Sequence, residues 1–275
     1  MLTPGNLSGE VAKLAKVLPP FPRIVIQLLD KLRADDSSLD AMIRLARNDP
    51  VISSSILGTA NHLRRIHAQP EVYDPFIAAS LIGVNQLRSI VVAAAMNKFA
   101  TEGKEAEFLL NHSRAVAIVA QELAALCGVS TEKAYVAGIL HDIGQLCFHI
   151  IDPGAFQEAY CQSAVDGRLL EREVATFGVD HAQIGGKLAD HWELPQDFVA
   201  AILTHHDDAI VTSRLQAVVN VAESLTRALD IPASPKNRLT RLNAPAVAAL
   251  GLSWKSQEML DCFGRCRARF SQAMG

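Results

Sequence analysis

The sequence has few aromatic residues and no strong charge of either sign. The lack of strong charge excludes several kinds of binding partner. Aromatic residues make up 5% of the 275 positions, and the formal net charge is −3. Without an excess of basic residues, the chain lacks the electrostatic attraction that binding to nucleic acid or an acidic membrane surface requires. We therefore expect no nucleic acid and no membrane among its partners.

The chain also lacks long hydrophobic runs and a leader pattern. No stretch approaches the length of about 18 uninterrupted apolar residues that is typical of a transmembrane helix. The first residues, MLTPGNLSGE, do not show the basic and then apolar order of a signal peptide. These features predict a cytoplasmic protein.

Cysteines are few and show no disulfide pattern. They are scattered through apolar segments, at Cys127, Cys147, Cys161, Cys262 and Cys266. Their odd number and irregular spacing favour reduced core residues. Cys262 and Cys266 could share one face of a helix, but no second pair of thiols accompanies them, so a thiolate metal site is not expected.

The sequence is rich in apolar residues that recur with the period of a helix. Hydrophobic residues make up 49% of the chain, enough for one large domain or two modest ones. No segment shows the alternation of a β-strand, so the predicted fold class is all-α. The predicted helices lie near residues 22–33, 38–48, 50–60, 75–83, 85–100, 108–127, 131–150, 154–165, 168–177, 181–192, 195–207, 213–229, 243–250 and 254–272.

Polar and proline-containing stretches divide the chain into four predicted segments. A polar stretch at 101–107 separates two halves, and Pro232 and Pro235 mark a second break. The segments are a lead helix at 1–19, an N-terminal helical lobe at 20–105, a lobe with a metal site at 106–230, and C-terminal helices at 231–275. We expect the two lobes to pack together and the C-terminal helices to cover one of them.

Histidines and one carboxylate form the most informative pattern in the chain. Five of the nine histidines stand at His112, His141, His181, His205 and His206. His141 is followed by Asp142 in the run His-Asp-Ile-Gly. Imidazoles and a carboxylate gathered from several segments suit a divalent cation such as iron, manganese, zinc or nickel. Because buried imidazoles need partners, this pattern favours a metal site over ordinary packing.

The predicted helices place these side chains at their starts, middles and ends. His112 and His181 each open a helix, and the pair at 141–142 lies within another, about 100° apart around its axis. The pair at 205–206 ends a fourth helix with the same geometry. Gly144 has no side chain, which allows a neighbouring helix or a ligand to approach closely.

Three segments, in this order, resemble the HDOD domain, a bacterial relative of the HD and HD-GYP metal-dependent phosphohydrolases. They are NHSRAVAIVAQELA, AYVAGILHDIGQLCF and GVDHAQIGGKLADHWELPQDFVAAILTHHD, and the stretches LPPFPRIVIQLL and IAASLIGVNQLRSIV agree with the opening of that family. The resemblance covers about residues 18–230. It implies an HD-domain-like helical bundle with an N-terminal helical lobe, and a role in signal transduction that is often without demonstrated catalysis.

The resemblance also implies a set of metal ligands. The positions that match the HD-GYP ligands are His112, His141, Asp142, His181, His205 and His206. Asp142 would bridge two ions, and it is the residue implied in catalysis if the chain is active. The last ligand of HD enzymes is an aspartate, and the matching residue here is Glu223, one methylene longer. The resemblance therefore implies a divalent metal cofactor of one or two ions.

Three departures from the active relatives bear on catalysis. The lysine that commonly follows His-Asp-Ile-Gly is Gln145, and the acidic residue four positions before the first histidine is Phe108. No Gly-Tyr-Pro loop follows His206. Each change removes a group that an active relative would use, so little or no hydrolysis is expected.

Two functions stay open on these grounds. The first is a signal-transduction module, non-catalytic or weakly catalytic, that binds signalling proteins or a nucleotide ligand. The alternative is an active metal-dependent phosphohydrolase or phosphodiesterase on a nucleotide, with a cyclic dinucleotide as one option. A helix-turn-helix DNA-binding role is disfavoured because no basic recognition helix is present.

Overall fold

The computed structural model describes residues 50–99, 104–192, 194–207, 211, 213–234 and 242–274, and these contain helices but no strand. The all-α prediction is therefore confirmed for this part of the chain. The predicted lead helix at 1–19 and the helices near 22–33 and 38–48 lie outside the described residues. The described helices fall into two compact units, one within residues 21–99 and one within residues 100–275.

The first unit contains α1 (Pro50–Ile66) and α2 (Pro75–Phe99), which pack against each other. Their shared core is formed by Ile56, Ala60, Ala78, Ala79, Leu87, Ile90 and Val91. Gly83 has φ of 79° and ψ of 165°, which interrupts α2 close to where the sequence predicted two separate helices. The loop between α1 and α2 is held by Asn61, whose amide donates to the carbonyl of Val72 and accepts from its N–H, each at 2.8 Å.

The second unit contains ten helices among the described residues. They are α3 (Lys104–Cys127), α4 (Thr131–Leu140), α5 (Ile143–Ile151), α6 (Pro153–Asp166), α7 (Leu169–Phe177), α8 (His181–His191), α9 (Gln196–Leu203), α10 (Arg214–Ala228), α11 (Ala244–Leu250) and α12 (Gln257–Met274).

Helix α3 is the central element of this unit and packs against α4, α10 and α12. A Cβ atom at Gly138 of α4 would lie 2.7 Å from the Cα of Ala117 in α3, so the glycine permits a close approach of these two helices. Helix α12 is held to α3 by Arg265 and Arg269, which bind the two carboxylate oxygens of Glu122 at 2.7 Å each. The two C-terminal helices are therefore part of the second unit, with α11 packed on α10 and α12 on α3.

Three local predictions around the histidines were wrong. The predicted helix at 131–150 is broken, because α4 ends at Leu140 and α5 begins at Ile143. The pair at 141–142 occupies the turn between them. Likewise, α9 ends at Leu203, so the pair at 205–206 follows the helix instead of ending it. His112 lies well inside α3 and does not open it. Apolar periodicity continues across both turns, so it could not reveal them.

Among the residues that the structure describes, one apolar stretch is long and apolar enough to cross a membrane. It runs over Thr131–Ile151, with a mean hydropathy of 1.3, and 83% of it is buried inside the structure. The stretch includes both α4 and α5 and the turn between them. Burial of this kind is typical of the core segment of a helical bundle.

Candidate metal centre

All seven predicted ligands converge in the second unit. They form two groups, within each of which the potential ligand atoms lie within 4.8 Å of one another. We call the first the histidine-rich group and the second the glutamate group. The histidine-rich group contains Asp142, His181, His205 and His206, and the glutamate group contains His112, His141 and Glu223.

Asp142 lies between the two groups and contacts both. Its Oδ1 is 3.2 Å from Nε2 of His181 and 3.3 Å from Nε2 of His205. Its Oδ2 is 3.3 Å from Nε2 of His141 and 3.8 Å from Nε2 of His112. One carboxylate thus presents a different oxygen to each group. This is the geometry that a bridging carboxylate needs.

Backbone carbonyls orient two of the imidazoles. Nδ1 of His141 is 2.7 Å from the carbonyl oxygen of Gly138, and Nδ1 of His205 is 2.7 Å from that of Ile202. A carbonyl oxygen only accepts, so Nδ1 carries the proton in both rings. In the neutral ring, Nε2 then directs its lone pair into the centre, as in metal-ligating histidines.

A buried glutamate orients a third imidazole. Glu173 in α7 is fully buried, and its Oε2 accepts from the backbone N–H of His181 at 2.9 Å and from Nδ1 at 2.6 Å. Glu173 was not among the predicted ligands. One sequence signal could have revealed it, because it stands four residues before Phe177 and shares the buried face of α7.

The carboxylate of Glu223 is shared between the glutamate group and an arginine. Its Oε2 is 2.8 Å from Nε2 of His112 and 3.5 Å from Nε2 of His141. Its Oε1 accepts from Nε of Arg227 at 2.6 Å and lies 2.5 Å from Nη2. Glu223 therefore lies beside His112 and His141, and Arg227 adds a positive charge that the sequence did not suggest.

The packing of nitrogen atoms in the histidine-rich group fits a bound cation. Nε2 of His181 is 2.9 Å from Nε2 of His206 and 3.3 Å from that of His205. Nε2 of His141 and Oδ1 of Asp142 are buried and have no hydrogen-bond partner among the described residues. Two nitrogen lone pairs at these distances repel each other unless a proton or a metal ion lies between them, and a divalent metal would satisfy them together. The donor set therefore fits a divalent metal.

Burial and charge oppose each other in the pKa values of these side chains. Burial disfavours a charged His141, but Asp142 and Glu223 outweigh it and raise its pKa to about 10. Burial is likewise outweighed at His181, where Glu173 and Asp142 hold the pKa well above its usual range. Each of these two rings therefore carries a second proton, which takes the place of a cation. Binding of a metal ion would release that second proton from each ring.

The carboxylates show the converse balance. Burial raises the pKa of Asp142, but His141 and His181 outweigh it and hold that pKa well below its usual range. At Glu223, Arg227 provides the largest opposing interaction and lowers the pKa in the same way. Both carboxylates are therefore anionic and available to a cation.

Gly144 positions the helices that carry the ligands. A Cβ atom at this residue would lie 2.9 Å from the Cα of His181 and would overlap its carbonyl group. Helices α5 and α8 pack against each other at this point. The close approach predicted from the sequence is therefore made by the backbone of α8, and it brings Asp142 next to His181.

The two residues that replace charged groups of active relatives both have partners within the second unit. Nε2 of Gln145 donates to Oδ2 of Asp142 at 2.8 Å. Phe108, one turn before His112, lies with its ring centroid 6.2 Å from that of Tyr160. Neither position offers a charge to a ligand.

Comparison with known proteins identifies the family. The HDOD domain matches residues 18–208. An HDOD domain protein of unknown function from Geobacter sulfurreducens superposes with a TM-score of 0.77 at 23% identity, over 98% of this chain and 94% of that one. A protein from Shewanella amazonensis SB2B, provisionally described as a phosphohydrolase, gives 0.65 at 25% identity, over 93% and 97%.

Several curated proteins match parts of the chain, and two of them show the range. An uncharacterised protein of Treponema pallidum (strain Nichols) is 21% identical over 208 residues, which are 74% of this chain and 40% of that protein. A ribonuclease Y of Oleidesulfovibrio alaskensis is 30% identical over 120 residues, which are 44% of this chain and 18% of that protein. The chain thus spans less than half the length of either relative.

Proposed function

Because the chain belongs to the HDOD domain family, we propose that it is a bacterial signal-transduction module with a pocket for one or two divalent metal ions. It acts by binding signalling proteins or a nucleotide ligand, with little or no catalysis. The observation that carries the proposal is the pairing of a convergent nitrogen and oxygen donor set with a neutral Gln145 bound to Asp142.

The metal ligands would be the seven residues of the two groups, with Asp142 facing both ions. A bound divalent cation would act as a Lewis acid towards a phosphate oxygen. The carbonyls of Gly138 and Ile202 hold two imidazoles in place, and Glu173 holds a third. Nitrogen and oxygen donors without thiolate favour iron, manganese, zinc or nickel.

Weak catalysis follows from the lack of charge at Gln145 and Phe108. Phosphoryl transfer requires positive groups that hold the phosphate as charge shifts, and loss of one positioned donor costs about 10²–10³ in rate. Gln145 uses its amide to hold Asp142 and carries no charge. Phe108 offers no ligand atom.

The second candidate is an active metal-dependent phosphohydrolase or phosphodiesterase on a nucleotide. The geometry of Asp142 favours it, because two donor groups that share a carboxylate resemble the centres of two-metal hydrolases. The provisional description of the Shewanella amazonensis protein points the same way.

Two measurements test the proposal. Elemental analysis of protein purified without added metal should find a divalent transition metal in the chain. The protein loaded with iron or manganese should then show little or no hydrolysis of a cyclic dinucleotide or of a phosphomonoester. If turnover is substantial and is abolished in Asp142→Ala, the protein is an active phosphohydrolase and the second candidate is correct. If turnover is weak, the variant Gln145→Lys should raise it.

A further inference from the structure

Arg227 is the positive side chain that the structure adds to the candidate metal centre. It lies on α10 one turn after Glu223, and its Nε and Nη2 both reach Oε1 of that glutamate. The other carboxylate oxygen faces the glutamate group, at 2.8 Å from Nε2 of His112. The guanidinium is therefore separated from the potential ligand atoms by a single carboxylate.

The guanidinium retains capacity to bind a second anion. Two of its five N–H donors point at Glu223, and Nη1 has no hydrogen-bond partner among the described residues. The side chain is 31% exposed, whereas that of Glu223 is 6% exposed. Arg227 thus connects the buried centre to solvent and has donors that remain available.

The surroundings of Arg227 favour a phosphorylated ligand. The positive charge of Arg227 interacts electrostatically with Asp142 as well as with Glu223, both of them in the candidate metal centre. Gln145, at the position where active relatives carry a lysine, is neutral and bound to Asp142. A guanidinium also presents a planar fork that matches the oxygen atoms of a phosphate.

We propose that Arg227 binds the phosphate group of the ligand and supplies a positive charge that the neutral Gln145 does not. The inference rests on the proposed function, because it places the phosphate beside the metal ions. It deepens that function by specifying the class of ligand, a phosphate monoester or diester.

The test uses the full chain loaded with manganese and inorganic phosphate as the probe. Metal content is measured by elemental analysis, and phosphate affinity by calorimetry near neutral pH. Arg227→Gln should keep its metal and lose roughly ten- to a hundredfold in phosphate affinity, the usual effect of removing a charge-assisted hydrogen bond. Arg168→Gln is the matched control, since it removes an exposed arginine paired with Glu171 and should bind phosphate like the wild type.

Several outcomes overturn the inference. Equal phosphate affinity in Arg227→Gln and the wild type would show that the guanidinium does not touch the ligand. Loss of metal in Arg227→Gln would show that it only holds Glu223. If that variant does not fold, Arg227→Lys replaces it: this variant keeps the charge and loses the fork, so it should weaken binding several-fold, and unchanged affinity counts against the inference.

Failure of the inference and failure of the proposed function are distinguishable. A wild-type chain that binds manganese but not phosphate overturns the role of Arg227 and leaves the metal-bearing module standing. A wild-type chain that binds no manganese, iron, zinc or nickel overturns the proposed function and this inference with it.

Discussion

The histidine-rich group and the glutamate group meet at Asp142 but are stabilised in different ways. In the first, a buried carboxylate from Glu173 holds His181, and the surrounding donors are mostly imidazole nitrogens. In the second, the carboxylate is itself a donor, and a partly exposed cation, Arg227, holds it from behind. An anion behind a ligand raises its basicity, whereas a cation behind a ligand withdraws charge from it.

This contrast predicts unequal affinities at the two groups. The histidine-rich group should bind the first metal ion and the glutamate group the second, more weakly. The longer side chain of Glu223 does not prevent its approach, since Oε2 lies 2.8 Å from Nε2 of His112. Charge, and not reach, therefore distinguishes the second group from the first.

Asp142→Asn should have the largest effect, because it removes the donor that both groups share. The amide keeps the shape but presents one neutral oxygen, so metal affinity should fall at least about a hundredfold at both groups. Elemental analysis and metal titration measure this effect. If only one group loses its metal, Asp142 does not bridge them.

Glu173→Gln should affect the histidine-rich group selectively. Removing the charge behind His181 should lower metal affinity there by about 10–100-fold, the usual effect of such outer partners. The matched control is Glu171→Gln, whose side chain is 59% exposed on the same helix. Equal metal affinity in the two variants would mean that Glu173 serves only the packing of α7.

Gly144→Ala should disturb the histidine-rich group indirectly, by destabilising the packing of the helices that carry it. The added Cβ would overlap the backbone of His181, so α5 and α8 must separate, at about 1–3 kcal/mol of folding free energy. Gly264→Ala in α12 is the control, since a Cβ there meets nothing within 4 Å. It should stabilise the protein by up to about 1 kcal/mol. Unfolding by denaturant should show a lower folding stability for Gly144→Ala and a higher one for Gly264→Ala. A Gly144→Ala protein as stable as the wild type would contradict the close packing of α5 against α8.

Glu122→Gln should have the smallest effect. It changes the helix that supports the glutamate group, because α3 carries both Glu122 and His112. Burial raises the pKa of Glu122, but Arg265 and Arg269 outweigh it and lower the pKa below its usual value of 4.5. The ion pairs therefore stabilise the folded state above that value, and this stability is lost as pH falls through the lower, folded pKa.

Because both arginines are partly exposed, the loss in Glu122→Gln should be below about 1 kcal/mol at neutral pH. The difference from the wild type should vanish in acid, as measured by urea unfolding across pH. Glu258→Gln, an exposed change on α12, provides the baseline. A difference that persists in acid would assign the effect to packing instead of charge.

The sequence was sufficient to predict the helical class, most positions of the described helices and the residues that converge in the candidate centre. Residues such as His112 and His181 stand out because imidazole is uncommon inside apolar helices. The turns at 141–142 and 205–206 were not predictable, because apolar periodicity runs through them unchanged. These two turns matter for the site, because adjacent side chains in a continuous helix would point about 100° apart around its axis.

The residues that hold the candidate ligands in place were harder to predict than the candidate ligands themselves. Glu173 and Arg227 are charged residues in amphipathic helices, where a solvent-exposed position is the usual expectation. The spacing of four from Phe177 places Glu173 on the buried face of α7, but only the fold shows that it lies beside His181, eight residues away in sequence. For Arg227, the spacing of four from Glu223 permitted an ion pair but did not distinguish a surface pair from one at the centre.

The candidate metal centre brings together residues that are far apart along the chain. His112 and Glu223 are 111 positions apart yet lie 2.8 Å from each other. A metal ion held by both would be a reversible cross-link that closes this long loop, much as a disulfide restricts an unfolded chain. Folding of the second unit would then depend on metal supply, and its melting temperature would rise with the concentration of free ion.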